Sequence, residues 1–313
     1  MRYACPTRRF LWKTTGSHGG QGGEPTSASL YGIIMAKRFK RRKSISAHQR
    51  VWPVPAPPRV IAGFPEFWQP AYDRFPNFYK ATTGLVPLVN EVLKKPLTGQ
   101  LQIVLGFMGG IVSNSLGALI TLCLNGYGQD ALRVARGMFE TSVNAAYLQL
   151  HRDEVDDYVD YHWVKQKKLL DYMTKHHPED AKRIPAKTVA DVDAEYAKVS
   201  PRFTDKFGKV RNSWCKNSIR RRAEEVGLGE FYPTFYARAS GIHHGDIAGL
   251  TAQAKRGRLL EVELAPSFVD VKDALMMGHQ CVIVVIDALN KVAVLGIDNQ
   301  LNAAIAAYGD AWK

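Results

Sequence analysis

A chain of 313 residues of which 46% are hydrophobic has the composition of a soluble protein that buries one large core or two modest ones. The net charge of +13 is concentrated at one end: residues 1–60 hold twelve Lys and Arg against one acid, Glu24, whereas the remainder holds 30 basic and 28 acidic side chains. The body of the chain is therefore nearly neutral, and a broad basic groove for nucleic acid is not indicated.

Cysteine usage and motif content narrow the class of protein further. The four cysteines, Cys5, Cys123, Cys215 and Cys281, show no paired spacing, which predicts a reducing, cytoplasmic compartment without a disulfide framework. The sequence contains no Walker loop, no G-x-G-x-x-G and no H-E-x-x-H. We therefore expect neither a cofactor nor a metal ion.

Residues 1–60 pass through Gly-rich, Lys/Arg-rich and Pro-rich stretches without apolar periodicity. This composition predicts a disordered basic tail, followed by a single helical-bundle domain over residues 61–313. The basic run from Lys37 to Lys43 has the charge to contact RNA, DNA or acidic lipid, although a solvated arm is the plainer interpretation.

The periodicity of apolar residues in the body is helical almost throughout. One short alternating segment, LLEVEL at 259–264, is strand-like and predicts at most one small β-hairpin near 255–265. The fold class is therefore predicted to be all-α, a multi-helix bundle. In chain order the predicted helices cover residues 83–95, 98–124, 129–150, 152–176, 188–199, 216–226, 231–244, 270–293 and 297–308.

The segment from Pro96 to Gln129 contains no charged residue, and its predicted helix is long enough to cross a bilayer. Several polar residues and glycines lie in the same segment, and no second convincing span follows. Small residues of this kind fit a closely packed central helix of a bundle. We therefore expect a bundle helix and no association with a membrane.

Two charged residues lie on the apolar face of the helix predicted at 129–150. Arg136 falls in the same arc as Leu132 and Phe139, and Glu140 lies at the edge of that arc, four residues after Arg136. An unpaired buried charge is too costly to keep, so the two side chains are expected to pair. The pair either fixes the register of the helix or lines a polar cavity.

A second polar cluster lies in YPTFYARASGIHHGD at 232–246. Tyr232, Tyr236, Ser240 and either His243 or His244 recur every three to four residues, which places their polar tips on one helical face. The following glycine, at position 245, suits the left-handed residue that ends a helix, and a histidine in the last turn is favoured by the helix dipole.

Arg238 and His243 spell R-x4-H, the signature of HEPN ribonucleases, which are metal-independent helical-bundle enzymes. The same class of pattern also occurs at Arg42 and His48 in the tail. Residues five apart on an ideal helix point about 140° away from each other, so a break at Gly241 or a partner subunit would have to bring the pair together.

The order of these features resembles the bacterial family catalogued as domain of unknown function 5677, which combines an R-x-x-x-E helix with a later S-x-x-x-H or S-x-x-H-G element. The resemblance covers about residues 87–292 and implies an all-helical cytoplasmic fold, without an established activity. It rests on Arg136, Glu140, Tyr236, Ser240, His243 or His244, and Gly245.

Two functions remain open at this stage. One is an interaction module, with a protein partner or a second copy of the chain, in which the polar residues lock the bundle. The other is an enzyme that cleaves RNA or handles nucleotides, with a histidine as general acid or base and an arginine that neutralises a phosphate. The residues of its site would be Arg136, Glu140, Tyr236, Arg238, Ser240, His243 and His244.

Overall fold

The structure, a computed structural model, describes residues 63–246 and 266–311. Within these two ranges the backbone forms eleven α-helices and no strand, so the predicted all-α fold is confirmed. The tail predicted for residues 1–60 and the hairpin predicted near 255–265 lie outside the described residues. The single domain proposed for residues 61–313 stays a prediction.

Most of the described helices follow one another closely, although residues 204–218 form a longer connection. A 3-10 turn at Arg152–Glu154 follows the fourth helix, and a π-helical turn at Tyr232–Tyr236 runs directly into the ninth. The helices are α1 (Pro65–Arg74), α2 (Pro76–Val92), α3 (Gln100–Leu124), α4 (Gly128–Leu150), α5 (Val155–His176), α6 (Pro178–Ala181), α7 (Ala186–Phe203), α8 (Ile219–Glu225), α9 (Ala237–His244), α10 (Val271–Ala293) and α11 (Asp298–Ala311).

The predicted helix bounds differ most from the structure where prolines occur. Helix α1 was not predicted, and α2 begins at Pro76 although a start at residue 83 was expected. Proline in the first turn of a helix loses no hydrogen bond, because the N–H groups there have no intrahelical acceptor. Pro65 and Pro76 therefore lie in the first turns of helices that apolar periodicity did not predict over residues 65–82.

Helix α10 is the centre of the bundle and packs against α2, α3, α4 and α11. It is buried on nearly every side, and its core residues include Leu275, Val282 and Ile286. The contact with α3 is close at Gly278, where an added Cβ atom would lie 2.9 Å from Leu119 Cδ1. A helix that is apolar around its circumference is stable when neighbours surround it in this way.

The start of α4 abuts the start of α10. A Cβ atom added to Gly128 would lie 2.0 Å from the carbonyl oxygen of Val269, so only glycine allows the two backbones to approach this closely. A bridge between Tyr127 and Ser267 continues the contact. The N-terminal ends of α4 and α10 are thereby fixed to each other, and this orients the face of α4 that carries Arg136 and Glu140.

By length and composition, two of the described helices, α3 and α10, could cross a membrane. Buried core helices of soluble proteins pass the same criterion, and 67% of the most apolar window of α10 is buried. The corresponding fraction for α3 is only 33%. The outer side of α3 is therefore apolar and uncovered by the rest of the described chain.

Candidate functional site

A row of polar side chains runs along one face of α4. Successive members are three or four residues apart, so they lie within about 40° of one line along the helix. We call this row the polar seam; its members are Arg133, Arg136, Glu140, Asn144, Tyr147 and His151. Each of them contacts a residue outside α4, mostly in α8, the π-helical turn or α9.

The centre of the polar seam is a triangle of three side chains. Arg136 Nη2 lies 2.9 Å from Glu140 Oε1 and donates a hydrogen bond of 3.0 Å to Tyr236 Oη. Tyr236 Oη in turn donates to Glu140 Oε1 at 2.6 Å. The Arg136 guanidinium carbon also lies 5.0 Å from the centroid of the Tyr236 ring. The structure therefore brings together three of the seven predicted site residues, although Tyr236 lies about 100 positions along the chain from Arg136 and Glu140.

The triangle is only partly shielded from water, since the side chains of Arg136 and Glu140 are 19% and 37% exposed. Tyr236 is 7% exposed, and its burial, followed by its hydrogen bond to Glu140, raises the pKa of its hydroxyl to about 12. The phenol is therefore protonated at neutral pH and acts as a donor to the carboxylate. Arg136 Nε is buried and has no hydrogen-bond partner among the described residues.

The π-helical turn explains how Tyr236 reaches α4. The Ala237 N–H donates to the Tyr232 carbonyl, five residues back, so one extra residue is inserted relative to an α-helical turn. The Tyr232 ring stacks on that of Tyr236 with centroids 4.9 Å apart. Apolar periodicity predicts a single regular helix over 231–244 and gives no sign of this insertion, which frequently marks a functional position in proteins.

One end of the polar seam contains a buried guanidinium that the sequence did not reveal. Arg222 of α8 is 6% exposed, donates to Asn144 Oδ1 and lies 5.1 Å over the Trp214 ring. Burial lowers the pKa of Arg222, and among the described residues no carboxylate forms an ion pair with it. In the sequence Arg222 belongs to a run of three arginines, of which Arg220 pairs with Glu224 at the surface.

The other end of the polar seam holds the last turn of α9. Arg133 donates from Nε and Nη2 to the Ile242 carbonyl oxygen, at 3.4 and 3.3 Å. The same carbonyl also accepts from the Gly245 N–H at 3.3 Å, and the positive charge of Arg133 interacts favourably with the C-terminal end of the α9 dipole. Because Arg133 meets residue 242 and Arg136 meets Tyr236, α4 and α9 run antiparallel.

The predicted histidines lie away from the triangle, at the end of α9. His243 and His244 are exposed, and their rings meet edge to face with centroids 5.1 Å apart. Ser240 is half-buried, one turn beyond Tyr236. Gly245 adopts the left-handed conformation with φ of 69°, which confirms its predicted role in ending the helix.

Arg238 points to the opposite side of α9. Its guanidinium forms ion pairs with Asp270, at the start of α10, and with Asp273, whose Oδ2 lies 2.8 Å from Arg238 Nη1. Burial raises the pKa of Asp270, and the charge of Arg238 partly opposes that change. The Arg238 guanidinium therefore contacts α10 and not His243. This agrees with the angular separation of about 140° between Arg238 and His243 on an ideal helix.

The comparison with family models identifies one family. The model described as "Family of unknown function (DUF5677)" matches residues 102–256, which include all seven predicted site residues. The match is shorter than the resemblance over residues 87–292 that the motifs had suggested. No curated protein and no solved structure matches the chain. Over residues 102–256, this protein belongs to the DUF5677 family of unknown function.

Proposed function

We propose that the protein is a cytoplasmic interaction module in which the polar seam locks α4 against α8 and α9. The closed triangle of Arg136, Glu140 and Tyr236 carries this proposal. The tyrosine hydroxyl donates to the carboxylate and accepts from the guanidinium, and the two charges neutralise each other. The hydroxyl and the carboxylate are therefore engaged within the triangle, and of the guanidinium Nη2 is engaged there while Nε has no partner among the described residues.

The positions of the histidines support the same proposal. A general acid or base acts within hydrogen-bond reach of the reacting group, and catalytic pairs are usually oriented by a third group. His243 and His244 are exposed at the end of α9, where their two rings meet edge to face. The free, buried cysteines Cys123, Cys215 and Cys281 support the proposed reducing compartment.

A second candidate is a HEPN-like, metal-independent endoribonuclease or a nucleotide-handling enzyme. The buried guanidinium of Arg222 favours this alternative, because no carboxylate among the described residues forms an ion pair with it and a buried cation attracts an anion such as a phosphate. In this case Arg136 or Arg238 would neutralise a phosphate and His243 or His244 would transfer a proton. Tyr236 and Ser240 would orient the reacting groups.

An RNA-cleavage assay separates the two candidates. The wild type, His243→Ala and His244→Ala are incubated with a mixed-sequence single-stranded RNA in the presence of a chelator, after their melting temperatures have been compared. For an interaction module we expect no cleavage by any of the three proteins. Cleavage by the wild type that is lost at least tenfold in a histidine variant of unchanged melting temperature would establish the enzyme instead.

A further inference from the structure

Helix α3 carries no charged side chain, and it is buried on one side only. Leu105, Val112 and Leu119 face α4 and α10 and are fully buried. On the opposite side, Phe107 and Ile111 are 64% and 55% exposed. Contiguous apolar surface of this kind on a soluble protein marks an interaction site.

The exposed face of α3 differs between its two halves. The N-terminal half carries large side chains, Ile103, Phe107 and Ile111, one turn apart. The C-terminal half carries small ones, and the exposed residues there are Asn114, Gly117, Ala118 and Thr121. The Thr121 hydroxyl donates to the Gly117 carbonyl at 2.9 Å, so it can be covered without losing a partner.

Two of the four glycines of α3 pack against other described residues, and the other two face open space. Added Cβ atoms at Gly106 and Gly109 would meet Leu97 at 2.4 Å and Leu93 at 3.2 Å, so internal packing accounts for both. At Gly110 and Gly117 an added Cβ atom would meet nothing within 4 Å. A helical glycine costs about 0.5–1 kcal/mol relative to alanine, and nothing in the described fold offsets this cost at those two positions.

We infer that α3 pairs antiparallel with α3 of a second copy of this chain. This inference rests on the proposed function as an interaction module and names its partner. A twofold axis near Val112 places Phe107 of each copy over Gly117 of the other, and Ile103 over Thr121. Large side chains of one helix then fill the space over the small residues of its copy, which is the self-complementarity that an isologous interface requires.

The distribution of charge favours the same arrangement. A twofold interface places equal residues of the two copies near the axis, so charged residues there repel each other, and α3 has none. An antiparallel pair also places the N-terminal end of each α3 beside the C-terminal end of its copy, so the two helix dipoles align favourably.

The first test measures the mass of the full chain as a function of concentration, by sedimentation equilibrium. The wild type is expected to associate to a dimer, and Phe107→Glu is expected to raise the dimer dissociation constant at least tenfold. Gly117→Leu is more diagnostic, because it adds apolar surface while filling the space that Phe107 needs. We expect the dissociation constant to rise at least tenfold and the melting temperature of the monomer to rise with helix propensity.

Gly137→Leu is the matched control. Gly137 is an exposed helical glycine of α4 with equally open space around it, so its replacement should leave the dissociation constant within twofold of the wild type. A wild type that stays monomeric at every concentration overturns the inference. Tighter association of Gly117→Leu also overturns it, because a face that attracts apolar surface without regard to shape would behave in that way.

The register is tested with single cysteines and a short bismaleimide linker. Equal positions of the two copies are separated along the axis by about 3 Å at residue 111 and by about 15 Å at residue 107. Ile111→Cys should therefore cross-link to a dimer above the wild-type background and Phe107→Cys should not. Equal cross-linking of both variants indicates a parallel pair and overturns the proposed register.

Binding of the monomer to vesicles of neutral and acidic phospholipid distinguishes failure of this inference from failure of the proposed function. If the wild type is monomeric and binds vesicles, and Phe107→Glu does not bind them, α3 is an interaction surface for lipid and a second copy of the chain is excluded as its partner. If the wild type is monomeric, ignores vesicles and cleaves RNA, the interaction module is itself excluded.

Discussion

At the scale of single residues, the hydroxyl of Tyr236 joins the two predicted polar clusters. The sequence placed Glu140 within reach of Arg136, because both lie on one helix and are four residues apart. It could not show that Tyr236 completes the pair, since the contact spans 96 positions of the chain and depends on a π-helical turn. The spacing of side chains within one helix can be read from nearby sequence positions. The partner of a side chain on another helix cannot be read in that way.

The hydroxyl of Tyr236 should therefore contribute measurably to stability. Tyr236→Phe keeps the ring against Phe139 but leaves the carboxylate and the guanidinium each with one hydrogen bond fewer. We expect the free energy of unfolding to fall by about 1.5–3 kcal/mol, as for a hydrogen bond to a charged group, measured by urea denaturation. Tyr232→Phe removes a neighbouring hydroxyl outside the triangle and should change stability by less than about 0.5 kcal/mol.

At the scale of helices, the charged and amide groups of the polar seam, and not apolar side chains alone, hold α8 and α9 against α4. Periodicity predicted the helices α3, α4, α5 and α10 to within a few residues, because their apolar stripes are long and regular. It gave no information on Arg222, whose neighbours Arg220 and Arg221 in the sequence are exposed. The burial of one arginine in a run of three is decided by the position of α4.

The contact between α4 and α8 should be sensitive to loss of the Asn144 amide. Asn144→Ala removes the acceptor of the buried Arg222 guanidinium, which then has no protein partner for that donor. We expect a loss of about 2–3 kcal/mol in the free energy of unfolding, measured by urea denaturation. Arg220→Ala is the control, since its ion pair with Glu224 is exposed and should contribute less than about 0.5 kcal/mol. Equal losses in the two variants would contradict this account.

At the scale of the whole molecule, one hydrophobic core runs from Ala71 in α1 to Leu301 in α11. The core also contains His279 of α10, which is fully buried and stacks on Tyr308 of α11 with ring centroids 4.7 Å apart. Burial lowers the pKa of His279 to about 4, and neither ring nitrogen has a hydrogen-bond partner among the described residues. The sequence did not single out this residue, because a histidine on an apolar stripe has no local mark of its depth.

The stability of the whole molecule should therefore fall in mild acid. The unfolded chain binds a proton at His279 near pH 6.5, and the folded chain does so only near pH 4, so protonation favours unfolding across that interval. Above pH 6.5, His279 is neutral in both the folded and the unfolded chain, and the free energy of unfolding is at its full value. As the pH falls from 6.5 to 4, the free energy of unfolding decreases by about 3 kcal/mol. Urea denaturation at several pH values should show a smaller loss for His279→Phe, and equal pH dependence in both proteins would contradict the assignment.

The polar seam also limits how the bundle can move. Apolar helices can slide past one another by a turn and find equivalent contacts, but a shift of α9 by about 5.4 Å along α4 would separate Arg133 from the Ile242 carbonyl and Arg136 from Tyr236 together. Intermediate positions would leave charges in an apolar interface without compensation. Helix α9 is therefore restricted to two states, seated in register or released as a unit.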